Sequence, residues 1–285
     1  MKSINKILVP VDFSVHSYNV VQQATEIAQY SKAQIIILHV YHKPLLSSAM
    51  IKKLEPDLVK MLEKSRLDHL MNVIQDQFDT MVKGIPGLSE IKTKFIKSRG
   101  LVVDNIIDIN NQEKIDLIIM GTRGAKGINE FWGTKTAEIC LTLKTPVLVI
   151  PQHSKQQKSD KIAFAYDLKS IRDINGLNIV KILSQVYNAE IHIITIHPDC
   201  HISSTEAENI FKLKSHFEEF SPVVHQQCGD NIEDELYGYL KENKISLLVA
   251  LHRSRKLMEE MFHDSFTEKF VYHSNIPVLA LDDRE

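Results

Sequence analysis

Asp12 closes a short apolar run, Lys6-Ile7-Leu8-Val9-Pro10-Val11-Asp12, and a second run, Leu117-Ile118-Ile119-Met120, opens into Gly121-Thr122-Arg123-Gly124-Ala125-Lys126-Gly127. A carboxylate can hold the hydroxyls of a sugar. Three glycines in seven residues let backbone N–H groups approach an anion closely, and Arg123 and Lys126 add positive charge. After eight intervening residues from the loop's second glycine comes Gly133-Thr134-Lys135-Thr136, opening a helical pattern through Ala137, Ile139, Cys140 and Leu143. The first-turn N–H groups and a threonine hydroxyl there are donors suited to phosphate. Carboxylate, glycine loop and helix start together point to a nucleotide, provided the two apolar runs lie in one sheet. The glycines do not form a Walker loop, because neither Gly121–Gly127 nor Gly133-Thr134-Lys135 fits the G-x4-G-K-[ST] spacing.

An internal repeat supplies the sheet. Lys6–Asp12 returns as Lys161-Ile162-Ala163-Phe164-Ala165-Tyr166-Asp167 at an offset of 155, and Ala33–Val40 returns as Ala189–Ile196 at an offset of 156. Ile115–Met120 matches Ile245–Ala250 at 130, so the second copy lacks 26 residues between its second and fourth strands. Thr145–Ile150 matches Ile276–Leu281 at 131. Between the strands, Val20, Val21, Ala24, Ile27 and Ala28 share one helical face with Ser14 as N-cap, and a long helix is expected across roughly Ile51 to Val82, with Pro56 demanding a start, kink or break. Near-continuous Ile/Val/Leu strands are what a parallel sheet covered on both faces requires. The fold class is therefore α/β, two consecutive open, doubly wound, five-stranded parallel-sheet domains over residues 1–151 and 161–285, with the polar stretch 152–160 as linker. In such a sheet the crevice lies beyond the carboxyl ends of the strands where the winding reverses, where the loops after Val11 and Met120 fall.

With these residues in place, the chain resembles the universal stress proteins, which belong to the adenine nucleotide alpha hydrolase-like group: a first strand ending V-P-x-D and a later G-x2-G-x9-G-[ST]. The resemblance covers nearly the whole chain, twice. By position it implies Asp12 near the nucleotide sugar and base, Val40 beside the base, and Met120, Gly121, Gly124, Gly133 and Thr134 around the phosphates, flanked by Pro10, Val11, Arg123 and Lys135. The implied cofactor is ATP, with magnesium, held as a regulatory ligand by a stress-response protein. One departure stands out: Gly124 and Gly133 are separated by eight residues rather than nine, and one residue shifts backbone donors by up to about 3 Å. The resemblance also implies a use for Val147–Ile150 and Val278–Leu281, edge strands with unpaired backbone groups. Paired with each other, they make an internal pseudo-dimer. A homodimer beyond that is compatible with the family.

The second copy keeps the length of the glycine loop and loses its chemistry, since Gly121, Gly124, Gly133 and Thr134 correspond to Leu251, Ser254, Asp264 and Ser265. An aspartate at the phosphate position repels a polyphosphate. Nucleotide is expected in the first half alone. The alternative is a nucleotide-free module of the same fold that binds a protein partner.

Other classes are excluded on composition. The chain has 285 residues and a formal net charge of −2, giving no basic field for nucleic acid or an anionic membrane. Its apolar runs are too short to span a bilayer. The N-terminus carries no signal-peptide pattern, and Cys140, Cys200 and Cys228 show no paired spacing, which argues against a disulfide framework and for a cytoplasmic location. His197, Cys200, His201, His225 and Cys228 are too widely spaced for an expected metal site. His252, Arg253, Arg255 and His263 read as a solvated loop. Without a G-x-S-x-G elbow or assignable catalytic carboxylates, no enzyme is expected beyond slow, incidental ATP hydrolysis.

Overall fold

The structure, a computed structural model, describes residues 3–43, 46–47, 51, 53–122, 134–152, 154, 160–197, 201–229, 231–252 and 276–283. The first half contains β1 (Lys6–Pro10), α1 (Val15–Ser31), β2 (Gln34–Tyr41), α2 (Pro56–Gly84), β3 (Thr93–Arg99), α3 (Val102–Glu113), β4 (Leu117–Gly121), α4 (Thr134–Thr142) and β5 (Val147–Ile150). The second contains β6 (Lys161–Ala165), α5 (Asn178–Tyr187), β7 (Glu190–His197), α6 (Ser204–His216), β8 (Val223–Cys228), α7 (Ile232–Glu242), β9 (Leu247–His252) and β10 (Val278–Asp282). The ten strands form one sheet in the order β3-β2-β1-β4-β5-β10-β9-β6-β7-β8.

Within each half all pairings are parallel, and the halves meet where β5 and β10 run antiparallel, with Leu148 opposite Leu279. Each edge strand thereby supplies the other's missing ladder, as the internal pseudo-dimer requires. The continuous apolar strands are explained by two buried faces. Ile7, Val9, Ile35, Ile37, Leu117 and Ile119 point into one core cluster, while their neighbours Leu8, Ile36, Leu38 and Ile118 point into another. Helices α1, α2, α5 and α6 contribute to the first cluster, and α3, α4 and α7 to the second. Each wholly buried valine, leucine or isoleucine contributes about 1.5–3 kcal/mol.

Local signals set the helix boundaries near the crevice. The Ser14 side chain caps α1 by accepting from the Ser17 N–H, and Val20, Val21, Ala24, Ile27 and Ala28 are all buried. Pro56 opens α2 at N1, where a missing N–H costs nothing. The 29 residues of α2 against the 13 of α6 account for much of the length difference between the copies. The seam between halves also carries side-chain contacts: Tyr30 of α1 donates to Gln185 of α5 at 3.1 Å, and burial together with the Glu26 carboxylate pushes the Tyr187 phenol up.

One expectation is corrected. Cys228, at the end of β8, is disulfide-bonded, whereas Cys140 is a free, buried thiol that desolvation pushes up to about 12. An odd cysteine count cannot exclude a single pair, so the inference from cysteines to a reducing compartment loses its footing. The remaining cysteine, Cys200, lies outside the described residues.

Candidate functional site

The winding reverses between β1 and β4: β2 and β3 continue the sheet on one side of β1, and β4 and β5 on the other. The crevice is therefore bounded by the ends of β1, β2 and β4 and by the start of α4. Pro10 is the last residue of β1 and pairs with Leu38. The Val11 N–H donates to the Leu38 carbonyl at 2.8 Å, the last sheet-like bond before the chain turns away. The Val11 carbonyl accepts from Nδ1 of His39 at 2.9 Å, so a β2 side chain fixes where the turn begins.

At the turn, Asp12 Oδ1 accepts from the Ser14 N–H at 3.0 Å and from the Ser17 hydroxyl at 2.6 Å, while the Asp12 N–H donates to Ser17 Oγ at 3.1 Å. A carboxylate bonded by a backbone amide and a hydroxyl has one orientation rather than several, which is what a sugar-binding group needs. Phe13 makes the bend in the left-handed region, φ 59°, which a bulky residue tolerates only when its surroundings hold it. Its ring lies 4.8 Å from that of His39 and 6.2 Å from Phe95, which stacks at 4.1 Å on Phe78 of α2.

Val40 lies half-buried near the end of β2, paired with Ser98. On the other side of β1, Met120 pairs with Val149 and Gly121 with Ile150, and the Thr122 N–H donates to the Ile150 carbonyl at 3.1 Å. Thr134 begins α4, Lys135 is exposed in its first turn, and buried Thr136 points its hydroxyl back at the Gly121 carbonyl at 3.5 Å. Pro10, Val11, Asp12, Val40, Met120 and Gly121 thus meet at one end of the sheet. Arg123, Gly124 and Gly133, and with them the eight-residue spacing, lie outside the described residues.

Sequence reasoning assigned no role to Ser17, His16 or His39. Ser17 follows Asp12 by five residues, the spacing that brings a first-turn side chain back to a preceding loop, and that signal was available. His16 and His39 carried none, since isolated histidines beside apolar residues read as core. Of the histidines and cysteines weighed for metal, His201, His225 and the Cys228 backbone are described, and no metal-competent group of three His, Cys, Asp or Glu side chains occurs among the described residues. His263, Arg253 and Arg255 lie outside them. No helix among the described residues is long and apolar enough to cross a membrane.

A parallel half with strand order 3-2-1-4-5 and helices on both faces defines the class of doubly wound α/β domains, here in tandem. Residues 3–151, just over half of the chain, match the model of the universal stress protein family. The chain belongs to that family, which supports a role in stress response. A universal stress protein from Archaeoglobus fulgidus is 20% identical with a TM-score of 0.69, covering 98% of this chain and 99% of that one. A structure from Pseudomonas aeruginosa described as a universal stress protein is 15% identical with a TM-score of 0.63, covering 98% and 93%. The cytoplasmic domain of a prokaryotic cation chloride cotransporter is 13% identical with a TM-score of 0.55, covering 98% and 96%. At these identities the likeness is one of fold, and it extends over both halves. No curated protein sequence matches the chain.

Proposed function

We propose that this chain is a stress-response protein whose first half binds an adenine nucleotide, ATP or a close relative with magnesium, as a regulatory ligand. The nucleotide lies across the carboxyl ends of β1, β2 and β4, its sugar at Asp12, its base beside Val40 and its phosphates on the segment running from Met120 to Lys135. The observation that carries this reading is the Asp12 carboxylate, oriented through Oδ1 by the Ser14 amide and the Ser17 hydroxyl at the reversal point of the sheet. The start of α4 on the far side of the crevice supplies the positive end of a helix dipole. No residue is assigned as a base for water, so turnover of the bound nucleotide is slow. Residues 152–160 link this domain to a second one that holds no nucleotide, and the protein acts in the cytoplasm.

Isothermal titration of ATP and magnesium into the wild type and into Asp12→Ala tests the reading. One site per chain, weakened by the substitution, is expected; equal binding by both would move the site elsewhere. A second reading, a nucleotide-free interaction module, is favoured by one observation: the lack of a side chain at Gly121 has a packing cause, because a Cβ there would stand 2.4 Å from His16 Nε2. Absence of both heat and thermal shift at millimolar ATP would select it.

A further inference from the structure

The crevice has two walls, the Asp12 corner and the end of β4, and one buried side chain ties them together. His16, 8% exposed, lies in the first turn of α1. Its Nε2 bonds the Ile150 carbonyl at 3.1 Å, the same oxygen that accepts from the Thr122 amide. A carbonyl only accepts, so Nε2 carries the proton and donates. The ring also occupies the space over Gly121, where a Cβ would meet Nε2 at 2.4 Å and Cδ2 at 2.5 Å. The next residue, Ser17, is the one that bonds the Asp12 carboxylate at 2.6 Å.

Besides the Asp12–Ser17 bonds, half-buried Phe13 and Tyr18 pack this turn against the core. Val15 is 83% exposed, and the first buried apolar residue of α1 is Val20, one turn later. The second half provides an internal control. At an offset of 155, Ile171 stands for His16 and Ser170 for Val15; at 130, Leu251 stands for Gly121; and the α-helix α5 begins only at Asn178, eight residues beyond the counterpart of the α1 start. Where the histidine–glycine pair is missing, the first helical turn starts four residues later, at Ile174, and as a 3-10 turn that runs into α5.

We propose that His16 is a positioning residue for the nucleotide site, setting the separation between the Asp12 carboxylate and the loop leaving β4. The proposal rests on the nucleotide reading given above. Through Ser17 it holds the carboxylate, and through Ile150 and Gly121 it holds the strand end from which the phosphate-binding segment departs. Its contribution is preorganisation: the corner is set before the ligand arrives, so binding does not have to order it.

The test uses the full chain in two arms. In ATP–magnesium titrations, His16→Leu is expected to weaken binding by about tenfold or more, and His16→Gln, whose amide can still donate to Ile150, recovers most of that loss. Equal affinity of wild type and His16→Leu, or a glutamine variant as weak as the leucine one, overturns the proposal. In hydrogen exchange without nucleotide, His16→Leu speeds exchange at the Asp12, Ser14 and Ser17 amides while β1 stays protected; unchanged exchange there also overturns it. The second arm decides the positioning role even if the wild type binds no ATP, a result that would remove the nucleotide reading alone. Should His16→Leu fail to fold, Gly121→Ala displaces the same ring and is read in the same two arms.

Discussion

The corner after β1 and the corner after β6 start alike and end differently. In both, the residue before the aspartate makes a last sheet bond, Val11 to Leu38 at 2.8 Å and Tyr166 to Ile194 at 2.9 Å. In both, the aspartate Oδ1 accepts from the amide two residues on, Ser14 at 3.0 Å and Lys169 at 3.3 Å. In both, the residue after the aspartate is left-handed, Phe13 at φ 59° and Leu168 at φ 65°. The bend and its strain therefore belong to the fold, because the half without the glycine motif keeps them. What differs is Ser17 against Arg172, His16 against Ile171 and Gly121 against Leu251. Arg172 sends its amide to the Asp283 carboxylate at 3.0 Å instead of placing a hydroxyl on Asp167, and a cavity of about 90 Å³, lined from both halves by Ile4, Asp116, Pro146, Leu177, Leu251 and Leu281 among others, lies beside the start of α5. The aspartate corner is common to both halves, and it is Ser17, His16 and Gly121 that set the first apart from the second.

The most disruptive way to break the comparison is to give the first half the second half's residue. Gly121→Leu inserts a side chain where His16 already stands, and overpacking of this kind costs about 3 kcal/mol at the upper end of its usual range. The His16 ring should be expelled, the first turns of α1 should exchange like a loop, and ATP binding should be lost. Urea unfolding with hydrogen exchange resolved by half would show the damage confined to residues of α1, β4 and β5. A variant as stable as the wild type with α1 intact would mean that the late start of α5 has another cause than Leu251.

A second difference lies under the opposite face. Beneath α3 the layer contains Ile36, Ile96 and Ile109; at the equivalent positions beneath α7 stand His192, His225 and Tyr239. His192 is 4% exposed, with Nδ1 2.7 Å from the Tyr239 hydroxyl and Nε2 3.1 Å from the Glu190 carboxylate, and the His225 ring lies 4.4 Å from that of Tyr239. Burial, and then Glu190, pushes the Tyr239 phenol up. His192→Ile, which copies the first half, strands a buried hydroxyl and should cost about 1–2 kcal/mol. His192→Ile with Tyr239→Phe removes both partners and should cost less than the sum of the single changes. Denaturant melts of the four chains give the coupling directly; additive costs would show that the pair is not energetically linked.

Much of this architecture was legible because it repeats. Offsets near 155 and 130 located the strands, Ser14 marked the start of α1, Pro56 was the start, not the kink, of a helix expected from about Ile51, and the family resemblance anticipated that Val147–Ile150 and Val278–Leu281 pair, though not that they run antiparallel. Asp12 follows the carboxyl end of β1 and Gly121 closes β4, as the strand pattern implied, since a strand's carboxyl end is fixed once the strand is. The features that stayed hidden are contacts between distant segments. His16 meets Ile150 across 134 residues, and His192 meets Tyr239 across 47. Ser170-Ile171-Arg172-Asp173 contains nothing that forbids a helix, yet the first helical turn there begins only at Ile174.

The smallest contrast concerns charge. Glu113, the last residue of α3, bonds Lys6 at 2.8 Å and Lys94 at 2.6 Å, tying the starts of β1 and β3 to the helix end. Those two ammonium groups hold its carboxyl down from 4.5 to about 2. At the equivalent place in the second half, Asn243 makes an uncharged bond to the Tyr239 carbonyl at 3.1 Å. A carboxyl whose folded value is lowered stabilises the fold above its unfolded value and ceases to do so as pH falls through the folded one. Glu113→Gln should therefore melt slightly below the wild type at pH 7, by an amount that salt reduces because the group is at the surface. The gap should hold down to about pH 4.5 and narrow from there toward about pH 2, while the cost of Asn243→Ala stays independent of pH over the same window. Thermal melts of the three chains between pH 7 and pH 3 test this, and a Glu113→Gln gap that does not change with pH would mean the lysines hold the helix end without help from the charge.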